Sequence, residues 1–288
     1  MEIKKTAIYP GCSLDATAEG FSLSLNNILK KMGIPLPEIV NWSCCGASSA
    51  YSVDHTVYLG LNAKNLSLAE NQGFEEIIAP CAACYHRLAH ANLQLQNDRD
   101  LLKKINDETG LNYKGTVTVR NILDFLYNTV GPDYIKKHVQ KKYPHISAAC
   151  YYGCLNTRIP HMNHFDDVEY PMSMEHILSG IGIKTIDWAY KTECCGASLF
   201  VTKEEIYERL AAKILKDAVV RGADCIVVSC PMCQMNLDIK QKEISNKYEI
   251  SESIPILFIS QIIGMTLGLS EKELAFKQNF VQGQFHAR

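Results

Sequence analysis

The segment Trp42-Ser43-Cys44-Cys45-Gly46-Ala47-Ser48 returns later in the chain as Thr192-Glu193-Cys194-Cys195-Gly196-Ala197-Ser198. The duplication extends well beyond it. Upstream, Tyr9-Pro10-Gly11-Cys12 is matched by Tyr151-Tyr152-Gly153-Cys154, and downstream Cys81-Ala82-Ala83-Cys84 is matched by Cys230-Pro231-Met232-Cys233. Each half thus carries one cysteine, a vicinal pair and a C-x-x-C. The gaps are 31 and 35 residues in the first half and 39 and 34 in the second. Ten of the 12 cysteines obey this scheme, and only Cys150 and Cys225 stand outside it. Such a chain has to fold as two similar halves, each presenting the same sulfur-rich site.

The hydrophobic pattern agrees with a duplicated α/β fold. Residues 6–9 form a β-like run that delivers Cys12, and Phe21, Leu25, Ile28, Leu29 and Met32 give residues 17–32 a helical period closed by Gly33. Residues 38–40 predict a short strand before Cys44-Cys45, residues 56–72 a helix, and residues 75–79 a strand ending at Cys81. A helix over 85–96, a peripheral helix and loop over 98–115 and a strand over 117–119 complete the first half. The pattern restarts with a strand over 146–150, a helix over 174–181, a strand over 185–188 and an amphipathic helix over 203–220. It ends with a strand over 223–229, a helix over 235–247, a strand over 254–258 and a last helix. The expected division is a first domain at 1–130, a linker at 131–145, a second domain at 146–270 and a polar tail at 271–288. Alternating strands and helices imply an α/β fold of two Rossmann-like halves, each a parallel sheet flanked by helices. A pseudo-two-fold axis should relate them, and cysteines at the C-terminal ends of strands sit where open α/β sheets place ligands. That relation brings the two sites towards one cleft.

Composition removes several classes. The net charge of −2 and the lack of a Lys/Arg run argue against nucleic acid. Residues 253–270 carry no charge, but Pro255, Ser260, Gln261, Gly264, Thr266 and Gly268 interrupt them, so a buried strand and helix is expected rather than a membrane span. Met1-Glu2-Ile3-Lys4-Lys5 enters a strand-like stretch without an apolar signal segment. The expectation is a cytoplasmic protein whose thiols stay reduced and bind metal.

Five thiolates per half constrain the metal. Zinc takes four ligands, and an ordinary four-iron four-sulfur cubane also takes four. Five, two of them adjacent, favour an iron–sulfur cluster of less regular shape; zinc in one half is the strongest competing reading. A Cys44–Cys45 disulfide is disfavoured, because adjacent Cα atoms lie about 3.8 Å apart, short of the usual disulfide span. Cys150 and Cys225 lie in apolar strands and are expected to pack as small hydrophobes.

The doubled order of cysteine, Cys-Cys-Gly and Cys-x-x-Cys resembles the cysteine-rich CCG domain. Over nearly the whole chain, and without a fused domain, it is similar to the family of heterodisulfide reductase B subunits of methanogenic archaea. The resemblance implies two noncubane four-iron four-sulfur clusters, one on Cys12, Cys44, Cys45, Cys81 and Cys84, the other on Cys154, Cys194, Cys195, Cys230 and Cys233. It implies a substrate as well, the mixed disulfide of coenzyme M and coenzyme B, split between the clusters to regenerate both thiols. The implied partners are the ferredoxin-like C subunit of heterodisulfide reductase, its flavin- and iron–sulfur-bearing A subunit, and a hydrogenase or formate dehydrogenase module. Together they form a ferredoxin-coupled, electron-bifurcating complex of methanogenesis. Related subunits serve succinate, fumarate and hydroxy-acid oxidoreductases, so an electron-transfer subunit that binds no disulfide is the alternative.

Both thiol coenzymes carry anionic groups, which call for cations or helix N-termini. Arg158, His86, Arg87 and Lys191 lie nearest the motifs, with Arg158 first because it follows Cys154 on a cleft-facing turn. His86 with His90 (i, i+4) and His161 with His164 (i, i+3) each share a helical face. One of these histidines is a candidate proton donor to a departing thiolate. The chain has no ferredoxin cysteine run, no Gly-x-Gly-x-x-Gly and no Walker sequence, so its electrons must come from partners.

Overall fold

The computed structural model describes residues 5–47, 49–158, 165–283 and 285. The first half runs β1 (Thr6–Ile8), a π-helical turn at Ser13–Thr17, α1 (Glu19–Lys31), α2 (Ser49–Val53) and α3 (His55–Asn71). It continues through β2 (Glu76–Ala79), α4 (Ala82–Asn97), α5 (Arg99–Thr109), β3 (Thr118–Asn121) and α6 (Ile122–Asp124), which runs on as a π-helical stretch to Val130. After α7 (Pro132–Lys137), the second half holds β4 (Ser147–Tyr151), α8 (Ser173–Gly180), β5 (Lys184–Thr185) and α9 (Glu204–Val220). β6 (Cys225–Val228), α10 (Pro231–Asp238), α11 (Gln241–Lys247), β7 (Ile256–Phe258) and α12 (Ile259–Thr266) close it.

Each half has its own sheet, and every strand pair is parallel. The orders are β1-β2-β3 and β5-β4-β6-β7. A single parallel bridge from Ile8 to Glu38 stands where the first half would carry the counterpart of β5, so the two sheets share one topology. β2 and β6 are buried along their whole length, as central strands of parallel sheets covered on both faces must be. Local signals set several helix starts: Asp54 accepts from Val57 N at 2.9 Å, Asp98 from Leu101 N at 2.9 Å, and Asn121 from Asp124 N at 2.7 Å.

The halves exchange helices across their boundary. α1 of the first half packs on α12 of the second, and α8 of the second packs on α6 and its π-helical extension in the first. Because α8 is the counterpart of α1, the exchange is reciprocal, as a pseudo-two-fold requires. Phe21 stacks on Phe258 with centroids 4.4 Å apart, and the hydroxyls of Ser24 and Ser260 pair at 2.6 Å. The tail also joins the halves. Asn27 donates to Glu273 O at 2.8 Å, Gln261 to Leu274 O at 3.0 Å, and Asp238 accepts from Phe280 N and Val281 N.

Some expectations change. α4 begins at Ala82 rather than at residue 85, which puts Cys84 inside its first turn. The helix expected over 235–247 is two: α10 starts at Pro231, directly after Cys230, and a break precedes α11. The strand expected at 38–40 shrinks to one bridge, because the Gln72 carboxamide takes both backbone groups of Val40, at 2.9 and 3.0 Å. The uncharged stretch 253–270 is β7 and the short, buried α12. Among the described residues no helix is long and apolar enough to cross a membrane.

Candidate metal centres

In each half the cysteines hang from the C-terminal ends of neighbouring strands. Cys12 follows β1 and Cys81 follows β2; Cys154 follows β4, Cys194-Cys195 follow β5, and Cys230 follows β6. Cys81 and Cys230 occupy the N-caps of α4 and α10, so each C-x-x-C wraps a helix start. At Cys81 the amide hydrogens of that helix start favour thiolate.

The sulfurs meet in the same pattern twice. Cys45 Sγ lies 3.5 Å from Cys84 Sγ, and Cys195 Sγ 3.7 Å from Cys233 Sγ. Cys84 also hydrogen-bonds with Cys81, and Cys233 with Cys230. Cys12 pairs with Cys44, and Cys154 with Cys194. All 12 cysteines are free thiols. Contact with Cys84 holds the Cys45 and Cys81 thiols below their ordinary range, and contact with Cys233 does so for Cys195. Cys84 and Cys233 are pushed up by those same contacts and by burial. In the second half Cys194 is lowered to about 6, chiefly by a hydrogen bond from Cys154.

Glycine makes the approach possible. Gly11 has φ +63°, and a Cβ there would stand 2.8 Å from Cys84 Sγ; Gly153 has φ +68°, and its Cβ would stand 2.9 Å from Cys233 Sγ. The glycine after each vicinal pair also has positive φ, and its N–H donates to sulfur: Gly46 to Cys44 at 3.4 Å and Gly196 to Cys194 at 3.3 Å.

A further set of polar residues fixes the Cys-Cys loops, and the cysteine spacing did not point to them. Tyr9 donates to Ser43 O at 2.7 Å, and Tyr151 to Glu193 O at 2.6 Å. Tyr58 and Tyr207 donate to the backbone carbonyls of Arg87 and Asn236 at 3.0 and 2.9 Å. The carbonyl of the second vicinal cysteine is held by Asn62 Nδ2 at 3.1 Å in one half and by Asn236 Nδ2 at 2.5 Å in the other. These two asparagines come from different helices, α3 and α10, so one backbone requirement is met by two solutions. Aligning the halves would have found the tyrosines; it would not have found the asparagines.

The basic residues expected at the site take several positions. Arg158 donates from Nη2 to Thr192 Oγ1 and to Glu169 Oε2, both at 3.0 Å, tying the turn after Cys154 to the loop before Cys194. Arg87 donates from Nε to Ala47 O at 2.9 Å and lies 3.9 Å over the Tyr51 ring, so it braces the first Cys-Cys loop. His86 is neutral at pH 7, its pKa pulled down to about 4 by burial and by Arg87 and His90. The His86 and His90 rings are 6.0 Å apart on α4, while Tyr58 and Gln94 engage His90. His161 and His164 lie outside the described residues. Lys191 is placed differently from an open substrate contact. Its ammonium is 2.6 Å from Glu175 in a pair whose side chains are 3% and 4% exposed, and it also donates to Pro171 O. Cys150 and Cys225 are fully buried in β4 and β6, with their thiols pushed up by burial.

The two centres are neighbours. α10, which carries Cys233, lies against the π-helical turn that follows Cys12. Asn121, at the end of β3, donates to Asn156 O at 3.5 Å, and Asn156 donates to Ser229 Oγ at 3.0 Å, just before Cys230. Among the described residues no three Cys, His, Asp or Glu side chains close around one point as a single ion would need. The sulfurs instead form successive pairs, at helix N-termini and close against glycines. That donor set fits an iron–sulfur group.

Similarity to known proteins agrees with this geometry. The family described as "Cysteine-rich domain" (CCG) matches residues 6–89 and again 148–238. The chain is 32% identical to the B subunit of the Ferredoxin/F(420)H(2)-dependent CoB-CoM heterodisulfide reductase of Methanosarcina acetivorans, over 96% of this chain and 94% of that one. It is 33% identical to the 8-methylmenaquinol:fumarate reductase membrane anchor subunit of Wolinella succinogenes, over 96% and 97% of the two chains. The crystal structure of a hypothetical protein from Helicobacter pylori superposes with a TM-score of 0.75 at 16% identity; it covers 98% of this chain, which spans about half (53%) of that one. With ten cysteines repeated in the same order and one family matched twice, the chain belongs to the cysteine-rich CCG family.

Proposed function

We propose that the protein is the catalytic B subunit of a heterodisulfide reductase, reducing the coenzyme M–coenzyme B mixed disulfide to its two thiols. What supports this is the doubled set of ten free cysteines at the strand ends, with α10, which carries Cys233, against the turn that follows Cys12. The first would be held by Cys12, Cys44, Cys45, Cys81 and Cys84, the second by Cys154, Cys194, Cys195, Cys230 and Cys233. Bound there, noncubane iron–sulfur clusters would supply single electrons and iron sites able to take the sulfurs of a cleaved disulfide.

The chain's own residues supply position. The helix N-terminus at Cys81 and the N–H group of Gly196 at Cys194 favour thiolate ligands. Tyr9, Tyr151, Asn62 and Asn236 lock the peptides around both vicinal pairs. Arg158, 42% exposed at the second centre, is the cation best placed to meet an anionic coenzyme; its bond to Glu169 would have to open. In this reading the protein is cytoplasmic and takes electrons from a ferredoxin-like C subunit, with a flavin-bearing A subunit, then a hydrogenase or formate dehydrogenase module, behind it.

The Wolinella relative supports a second reading, in which the chain passes electrons within a fumarate reductase and never touches a disulfide. Anaerobic purification with native partners separates the two. Reduction of the coenzyme M–coenzyme B disulfide by the complex supports the first. Fumarate reduction by a quinol, with no disulfide turnover, supports the second.

A further inference from the structure

The five thiols of each half are not equivalent. Cys45, Cys81 and Cys84 are 1%, 1% and 3% exposed, and Cys195, Cys230 and Cys233 are likewise buried. Cys12 and Cys44 are exposed, Cys194 is exposed, and Cys154 is half-buried. The buried three form one hydrogen-bonded row, Cys45–Cys84–Cys81, repeated as Cys195–Cys233–Cys230. Of the outer two, Cys12 interacts with Cys44, as Cys154 does with Cys194. The vicinal pair straddles the division in both halves. The inner sulfurs sit at the helix starts of α4 and α10, with Gly11 close against Cys84 and Gly153 close against Cys233.

We propose that each centre is built in two tiers: the buried three cysteines anchor it, and the pairs Cys12/Cys44 and Cys154/Cys194 form the rim at which a substrate sulfur is accepted. This rests on the disulfide-reductase reading and adds the direction of approach and the ligands next to the incoming sulfur. At the second rim, Arg158 joins the two outer loops through Cys154 O and Thr192 Oγ1, which puts the cation at the tier the substrate meets first.

Single serine variants of the full chain, purified anaerobically, test the division. Losing one of two equal four-iron centres removes about half of the iron, so Cys45→Ser, Cys84→Ser, Cys195→Ser and Cys233→Ser are expected to show that loss. Cys12→Ser, Cys44→Ser, Cys154→Ser and Cys194→Ser are expected to keep most of their iron. Added 2-mercaptoethanesulfonate should perturb the electron paramagnetic resonance signal of the oxidised wild type, and the response should be lost or altered in rim variants on the half that takes that thiol. On wild-type protein that retains its iron, iodoacetamide with peptide mass spectrometry should modify the four rim cysteines at least about ten-fold faster than the inner six, as exposure dictates. This arm is independent of whether any variant folds. Equal alkylation rates, or rim variants that lose iron as inner ones do, would overturn the tiers. A wild type that answers the thiol, with all four rim variants answering identically, would overturn the rim as the acceptor. A wild-type signal indifferent to the thiol would instead remove the disulfide reading on which the proposal rests.

Discussion

Single atoms decide how close the sulfurs come. Gly11→Ala places a methyl on Cys84 Sγ and forces a left-handed φ on alanine, which alone costs about 1–2 kcal/mol. Gly33→Ala carries the same backbone cost with open space around it. Gly11→Ala should therefore lose more stability than Gly33→Ala in thermal unfolding, and only Gly11→Ala should lose bound iron; equal iron in the two would show that the approach to Cys84 is unimportant. Lys191 offers a second residue-scale test. Removing one partner of a buried ion pair costs about 3–5 kcal/mol. Lys191→Met should be destabilised to that degree in guanidinium unfolding, and adding Glu175→Leu should recover part of the loss. The ten cysteines were legible in the sequence because their chemistry has few other uses. Lys191 was not: whether a lysine faces solvent or a buried carboxylate depends on Glu175, which lies 16 residues earlier and reaches it only through the fold.

At the scale of elements, parallel strands with cysteines at their C-terminal ends followed directly from the β-rich runs before Cys81 and Cys230. Helix starts were harder to place. α4 and α10 begin immediately after their capping cysteines, where Ala82-Ala83 and Pro231-Met232 give no apolar period, so periodicity alone started them late. The exchange of α1 with α12 and of α8 with α6 was invisible too, since buried faces do not name their partners. It predicts that Phe21→Ala, which removes the stack on Phe258, weakens the boundary between the halves by about 3–5 kcal/mol. The measurement is denaturant unfolding followed by separate probes of each half. Asn62→Ala and Asn236→Ala should each leave a buried carbonyl unpaired, at about 1–3 kcal/mol, and should broaden the spectroscopic signature of one centre only. Broadening of both signatures by either variant would mean that the loops are not held independently.

For the whole molecule, duplication is the organising fact: two sheets of one topology, two sulfur sets with one contact pattern, and a boundary where each half lends the other a helix. Because each half has its own sheet, Cys195→Ser should disturb the second centre while Cys12, Cys44, Cys45, Cys81 and Cys84 still hold the first. Coenzyme M and coenzyme B thiols, added separately to that variant, should then perturb its remaining paramagnetic signal with only one of the two. Heterodisulfide turnover should stop, and near-normal turnover would show that one centre suffices. The equivalence of the two centres is tested most directly by metal and acid-labile sulfide analysis of the anaerobically purified wild-type chain. Two four-iron clusters predict about eight irons and as many sulfides per chain, with little zinc. One cluster accompanied by a stoichiometric zinc would contradict two equivalent iron–sulfur centres.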